Sequence, residues 1–251
     1  MHLGLVTYNL AADWDLEQLI AACEATGFEG VELRTTHAHG VEPELDSRQR
    51  AAVRKRFEDT EVVLWGLGST CEYHSPDPDE LRRNIQTTCD FIDLARDVGA
   101  RGAKVRPNAL PEGVPVEQTL RQIGEALAEC GEYAADKGVA VWLEVHGRET
   151  SHVPHIKTIM DIADHPQVKV CWNSNDADVV DGSIVDNFAL VKDRIGSVHM
   201  RDLYLDYPFH ELFAGLRAIN YEGFCLAEIQ ASADPERVMR YYAGLWREMT
   251  G

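Results

Sequence analysis

Short hydrophobic runs alternate with amphipathic stretches eight times along the 251 residues, and this alternation limits the possible folds more than any other feature. The runs that predict strands are LGLVTY (3–8), GVELR (30–34), VVLWGLG (62–68), GAKVRP (102–107), AVWLEVHG (140–147), VKVCWN (168–173), IGSVHMRD (195–202) and FCLAEIQ (224–230). Most of them are continuously apolar, which is typical of parallel strands covered on both faces. Eight strands with intervening helices predict an α/β fold, a single (β/α)8 TIM barrel that occupies residues 1–251.

The intervening stretches carry helix start and stop signals. These signals are Asp13 or Asp15, Asp46 and Pro78 at helix starts, and Gly27, Gly99 and Gly138 at helix ends. The helical pattern is weakest around 156–163 and 184–191. A doubly wound open sheet is the alternative fold. It is disfavoured because TYNLAAD, which follows the first strand, lacks the glycines of a phosphate-binding turn.

Charge and composition exclude several classes of partner. The formal net charge of −18 disfavours nucleic acid, because the average field repels a polyanion. No apolar run approaches the roughly 20 residues that a membrane-spanning helix needs, and MHLGLVTYNL does not resemble a secretion signal. The six cysteines form no C-x-x-C pair and are typical of reduced core thiols. We therefore expect a cytoplasmic protein with no nucleic-acid or membrane partner.

Polar side chains recur in pairs, two residues apart, at the ends of six predicted strands. The pairs are Glu32/Arg34, Lys104/Arg106, Glu144/His146, Asn173/Asn175, His199/Arg201 and Glu228/Gln230. Residues two apart on a strand point to the same side. Charges that face a barrel interior are costly unless they are paired or bind a metal. Six such pairs at the same end of their strands predict a polar pocket, and the active sites of these barrels lie at that end.

Four of these side chains form a set suited to a divalent cation, namely Glu144, Asn173, His199 and Glu228. Two carboxylates, an imidazole and an amide oxygen favour Mn²⁺ or Mg²⁺, with Co²⁺ and Zn²⁺ as further candidates.

The phrases WLEVHG, VKVCWN, SVHMRDL and EGFCLAEI resemble the last four strands of the xylose-isomerase-like TIM barrel superfamily. GFEGVEL near the N-terminus is similar to the same group. The resemblance covers essentially the whole chain and implies a sugar or sugar-phosphate isomerase or epimerase. Its members hold a divalent metal on strands five to eight, which implies Glu144, Asn173, His199 and Glu228 as the ligands here. It also implies Glu144 and Glu228 as the catalytic acid and base, which act on an α-hydroxy carbonyl compound through an enediolate.

The chain departs from the family pattern on strand six, where the family has an aspartate and, three residues later, a histidine. Asn173 and Asp176 occupy these positions. An amide brings no negative charge, so the set totals −2 instead of −3, and we expect weaker metal binding. Asp176 or Asp178 are candidates to supply a substitute carboxylate. In the alternative interpretation, the metal site has decayed.

The other polar residues near the mouth suggest a carbohydrate substrate rich in hydroxyl groups. The candidates for contacting it are His146, Asn175, Arg201, Gln230, Glu32, His74 and Lys104. Lys104, Arg34 and Arg106 either neutralise a phosphate or carboxylate of the substrate or pair with Glu32 inside the barrel.

Three further functions remain open. A metal-dependent lyase would use the same enolate to expel a leaving group, as in a dehydratase or in cleavage of a 3-keto-glycoside. An endonuclease-like phosphodiesterase would need more histidines at the strand ends. A barrel without catalytic activity is the third. The resemblance is compatible with a homo-oligomer, but no surface pattern in the sequence establishes one.

Overall fold

The computed structural model describes residues 1–251 and confirms the (β/α)8 barrel. Eight parallel strands close in sequence order, and β8 pairs with β1. The strands are β1 (His2–Val6), β2 (Gly30–Arg34), β3 (Val63–Glu72), β4 (Gly102–Arg106), β5 (Ala140–Glu144), β6 (Val168–Asn173), β7 (Ile195–Met200) and β8 (Phe224–Ala227). The helices are α1 (Leu16–Thr26), α2 (Ser47–Glu58), α3 (Pro78–Val98), α4 (Val116–Ala134), α5 (Val153–Ala163), α6 (Val185–Val191), α7 (Phe209–Ala218) and α8 (Pro235–Thr250).

The helix boundaries follow the predicted caps. Asp15 and Asp46 each accept a hydrogen bond from the backbone N–H three residues later, which fixes the first turns of α1 and α2. Gly27 and Gly99 end their helices in the left-handed conformation. The weak pattern at 184–191 corresponds to the shortest α-helix, seven-residue α6. None of the helices has both the length and the hydropathy needed to cross a bilayer.

One strand is longer than its hydrophobic run. The sequence places the end of the third strand at Gly68, but β3 continues to Glu72. A register shift between these residues brings Glu72 opposite Arg106 of β4. Because the extension is polar, hydrophobic patterning alone does not reveal it.

Aromatic side chains fill the part of the barrel interior below the strand ends. The Trp65 ring centroid lies 5.4 Å from that of Trp142 and 5.1 Å from that of Phe224. These rings fit because glycines face them from the neighbouring strands. A Cβ atom would lie within 2.6 Å of a Trp142 or Phe224 side-chain atom at three of these glycines, Gly30, Gly66 and Gly102. We call this layer the aromatic floor.

The acidic segment after β6 anchors a loop. The buried carboxylate of Asp178 accepts hydrogen bonds from the Asn175 backbone N–H (2.8 Å) and from the Tyr207 hydroxyl (3.4 Å). Tyr207 in turn accepts one from the Trp172 indole N–H at 3.1 Å. This chain joins the end of β6 to the loop before α7. Burial raises the pKa of Asp178 from 3.8 to about 7.

We expect Asp178 to make the protein less stable as the pH rises from about 4 to 7. The native carboxyl keeps its proton over this range while the unfolded one loses it, so the native state binds more protons. At about 1.4 kcal/mol per pKa unit, the loss reaches at most about 4 kcal/mol. Urea unfolding should therefore show that Asp178→Asn gains stability relative to the wild type between pH 5 and pH 8. The exposed variant Asp181→Asn should show no such gain, and equal pH profiles for Asp178→Asn and wild type would contradict this.

Candidate active site

A cavity of about 220 Å³ opens at the C-terminal ends of the strands. Val6 and Tyr8 form its apolar wall, beside and just beyond the end of β1. All its other lining residues belong to the predicted polar pairs: Glu32, Arg34, Lys104, Arg106, Glu144, His146, Asn173, Asn175, His199, Arg201 and Glu228. Strand alternation therefore places eleven of the twelve paired residues on one common surface, and only Gln230 lies outside it.

Glu32 lies behind His199 and orients it. Its Oε2 atom is 3.1 Å from His199 Nε2, and both side chains are buried. A proton on Nε2 donates to this carboxylate and leaves the Nδ1 lone pair free. Gly68 makes room for the pair, because a Cβ there would lie 2.8 Å from Glu32 Oε1. Glu32 lines the cavity and its buried carboxylate contacts His199, while its predicted contact with a substrate stays a prediction.

Two neighbours hold the Glu144 carboxylate. The Lys104 ammonium donates to Oε2 at 2.7 Å, and the Asn173 amide donates to Oε1 at 3.1 Å. Lys104 therefore forms an ion pair in the barrel, but with Glu144 and not with Glu32. The two residues lie on adjacent strands, β4 and β5, so the ion pair links neighbouring strands of the barrel.

Three donor atoms converge where the sequence predicts a metal. His199 Nδ1 lies 3.5 Å from Glu144 Oε1 and 3.5 Å from Glu228 Oε1. One ligand atom from each residue can be chosen so that all three lie within 4.8 Å of one another. Two ligands about 2.1 Å from one ion lie roughly 3.0 to 3.5 Å apart. The buried His199 Nδ1 has no hydrogen-bond partner, as expected of an atom that ligates an ion. The residues present fit a divalent cation.

The charges in this cluster shift one another's pKa values. Burial raises the pKa of Glu144, but the Lys104 ammonium and His199 outweigh burial and hold it well below its ordinary value. Burial also raises the pKa of Glu228, and His199 offsets this only in part. For His199, burial lowers the pKa, yet neighbouring groups that include Glu32 and Glu228 raise it well above its ordinary value. A cation bound here would compete with the proton that these carboxylates hold on the imidazole.

The rim of the cavity holds two more ion pairs. Arg106 binds Glu72 at 2.5 Å and Arg201 binds Asp176 at 2.6 Å. Sequence patterning did not identify Glu72 as part of the site, because the predicted third strand ended too early. Tyr8 was also missed, although it follows Val6 by two residues and the same spacing rule would have included it.

His146 and Asn175 line the cavity in different ways. His146 Nδ1 is buried and has no hydrogen-bond partner, and burial lowers the pKa of this imidazole. The Asn175 amide donates to the Val145 carbonyl at 2.7 Å and so links the ends of β5 and β6. His146 is therefore available to a ligand, whereas the amide nitrogen of Asn175 already donates a hydrogen bond to the backbone.

Four other candidates are not brought into the cavity. His74 lies beyond the end of β3 with Nδ1 3.8 Å from Glu72 Oε2. Gln230 accepts a hydrogen bond from Asn9 at the exposed rim. Asp176 is engaged by Arg201, and Asp178 by Asn175 and Tyr207, so neither replaces the missing carboxylate on β6.

Solved structures with the same fold include two sugar epimerases. The chain is 15% identical to D-psicose 3-epimerase from Clostridium cellulolyticum H10, with a TM-score of 0.85 and coverage of 100% of this chain and 99% of that one. It is 16% identical to 3-keto-D-glucoside 4-epimerase from E. coli, with a TM-score of 0.82 and 99% of each chain covered. A third structure is the IOLI protein with a bound zinc atom, which is 14% identical with a TM-score of 0.76 and coverage of 100% of this chain and 96% of that one.

No curated protein sequence matches the chain. The family model described as xylose isomerase-like TIM barrel matches residues 20–249, which is most of the chain. Together with the closed barrel, this match shows that the chain belongs to the xylose isomerase-like TIM barrel family.

Proposed function

We propose that this protein is a divalent-metal-dependent isomerase or epimerase of a sugar derivative. One observation carries the proposal. The buried His199 Nδ1 atom has no hydrogen-bond partner and faces the carboxylates of Glu144 and Glu228, so three ligand atoms converge at one point. The sugar epimerases of the same fold support the substrate class.

Glu144, His199 and Glu228 would hold the metal, and Asn173 would add a fourth ligand once its amide oxygen turns toward the cavity. Mn²⁺ or Mg²⁺ suits the carboxylates best, and Co²⁺ or Zn²⁺ would also accept this set. When bound, such an ion supplies positive charge that stabilises the enediolate oxygens. Glu32 keeps His199 in the orientation and tautomer that ligation requires.

Glu144 and Glu228 are the groups proposed to move protons. One carboxylate removes the hydrogen from the carbon next to the carbonyl, and the other returns a proton to it. Lys104 keeps Glu144 ionised inside the barrel, since the ammonium lies 2.7 Å from its Oε2 atom. His146 offers a neutral ring nitrogen to a hydroxyl group of the substrate. The aromatic floor closes the cavity from below, so the reaction is confined to the mouth.

Removal of either carboxylate should suppress exchange of the substrate's carbon-bound hydrogen. With Mn²⁺ in D₂O, NMR of a panel of ketoses should show deuterium incorporation by the wild type. Glu144→Gln and Glu228→Gln should lower the rate by about 10²- to 10⁴-fold, the usual contribution of a positioned acid or base.

Glu125→Gln, an exposed position on α4, is the matched control and should exchange at the wild-type rate. Unaffected exchange in both active-site variants would contradict the assigned roles. An unsaturated product formed by loss of a hydroxyl or glycosyl group would instead establish a lyase on the same site.

Replacement of the amide on β6 should strengthen metal binding. Asn173→Asp raises the ligand charge from −2 to −3, and we expect Mn²⁺ to bind at least tenfold more tightly, about 1.4 kcal/mol, in isothermal titration of metal-stripped protein. Asn220→Asp adds the same charge on an exposed loop before β8 and should leave the affinity unchanged. Equal affinities of wild type and Asn173→Asp would refute the charge argument.

A further inference from the structure

Arg34, at the end of β2, is a cation of the cavity wall without a protein counterion. The residue is half-buried and lines the cavity. Its guanidinium forms no ion pair and donates no hydrogen bond, and its Cζ atom lies over the Tyr8 ring, 5.7 Å from the ring centroid. The Tyr8 contact orients the side chain but does not neutralise it.

Every other cation of the cavity has a carboxylate partner. Lys104 binds Glu144, Arg106 binds Glu72, and Arg201 binds Asp176. Glu32, two residues before Arg34 on the same strand face, is the obvious candidate to neutralise it. Its Oε2 atom, however, is engaged by His199 and its Oε1 atom forms no hydrogen bond, so neither oxygen pairs with the Arg34 guanidinium. Arg34 is therefore the one cation of the cavity that no carboxylate of the protein neutralises.

Further hydrogen-bond donors of the cavity also lack acceptors. The Nε atoms of Arg106 and Arg201 are buried without a partner, and so is His146 Nδ1. Buried donors without acceptors are costly, and a ligand rich in oxygen would satisfy them. A guanidinium is the side chain best shaped to receive two oxygens of a carboxylate or a phosphate.

The charge balance of the site also leaves room for an anion. Five carboxylates face four cations: Glu32, Glu72, Glu144, Asp176 and Glu228 against Arg34, Lys104, Arg106 and Arg201. With a divalent ion bound to a neutral His199, and with His146 neutral, the five carboxylates, the four cations and the ion together carry a net charge of +1. One anionic group on the substrate then makes the site neutral. This local balance contrasts with the chain as a whole, which carries a formal net charge of −18.

We propose that the substrate carries an anionic group, a carboxylate or a phosphate, and that Arg34 binds it. This inference rests on the proposed function for the sugar part of the ligand. The cavity of about 220 Å³ is smaller than the roughly 300–1,000 Å³ typical of drug-sized ligands. The ligand is accordingly a derivative of a single sugar, with its reacting carbon at Glu144 and Glu228 and its anionic group at Arg34.

Three probes that differ only at C6 test the inference. D-Fructose carries a hydroxymethyl group there, D-fructuronate a carboxylate, and D-fructose 6-phosphate a phosphate ester. In calorimetric titrations of the Mn²⁺-loaded protein, we expect at least one anionic probe to bind tenfold or more tightly than D-fructose. The anion that binds more tightly identifies which of the two groups the site takes.

Variants of Arg34 separate its charge from its packing. Arg34→Met should reduce the affinity for the preferred anion to that for D-fructose measured with the same variant, so that the anion preference is lost, whereas Arg34→Lys should retain part of the preference. Arg83→Met is the matched control, since Arg83 is exposed on α3 and forms no ion pair, and it should behave like the wild type. Circular dichroism establishes that each variant is folded.

The inference is overturned if neither anion binds more tightly than D-fructose, or if the preference survives in Arg34→Met. Its failure is separable from failure of the proposed function, because binding is measured without turnover. Deuterium exchange on neutral ketoses with no anion preference would overturn only the role of Arg34. An anion preference without exchange on any probe would overturn only the catalytic proposal.

Discussion

Glu144 remains ionised inside the barrel because Lys104 lies 2.7 Å from one of its oxygens. A lone carboxylate at this depth would be unfavourable by several kcal/mol, and two more, Glu32 and Glu228, lie close by. The cluster is possible because each carboxylate has a positive or polarisable neighbour: Lys104 for Glu144, and His199 for Glu32 and Glu228. The arrangement concentrates negative charge at one point, and the His199 Nδ1 atom faces it. Both the proposed cation and the proposed chemistry depend on that arrangement.

Sequence periodicity was sufficient to predict the barrel and the polar part of the cavity wall, apart from Gln230, which lies outside it. The spacing of two residues needs only a strand and a common inward side, so Glu144, His199 and Glu228 were identified without knowledge of their contacts. The side chain that each of these residues contacts was not predictable in this way. Glu32 and His199 are 167 residues apart in sequence and meet only because the barrel closes. The spacing rule cannot decide whether Glu32 faces a ligand or lies behind another side chain.

Two other features escaped prediction for local reasons. The extension of β3 to Glu72 depends on a register shift that has no hydrophobic signature, and it supplies the partner of Arg106. Asp178 follows the end of β6 and was a candidate to supply a substitute carboxylate to the metal. It is instead enclosed by Tyr207 and the Asn175 backbone, because the loop before α7 folds over it. Whether an acidic residue after a strand binds a metal or anchors a loop therefore depends on how the next loop packs.

The aromatic floor has a consequence for how protons travel. Trp65, Trp142 and Phe224 seal the barrel beneath the charged layer, held there by glycines that offer no side chain of their own. Water therefore reaches the carboxylates only from the side on which a ligand enters. Solvent protons and the ligand therefore share one entrance, and a carboxylate of the cluster can trade its proton with bulk water only through that opening.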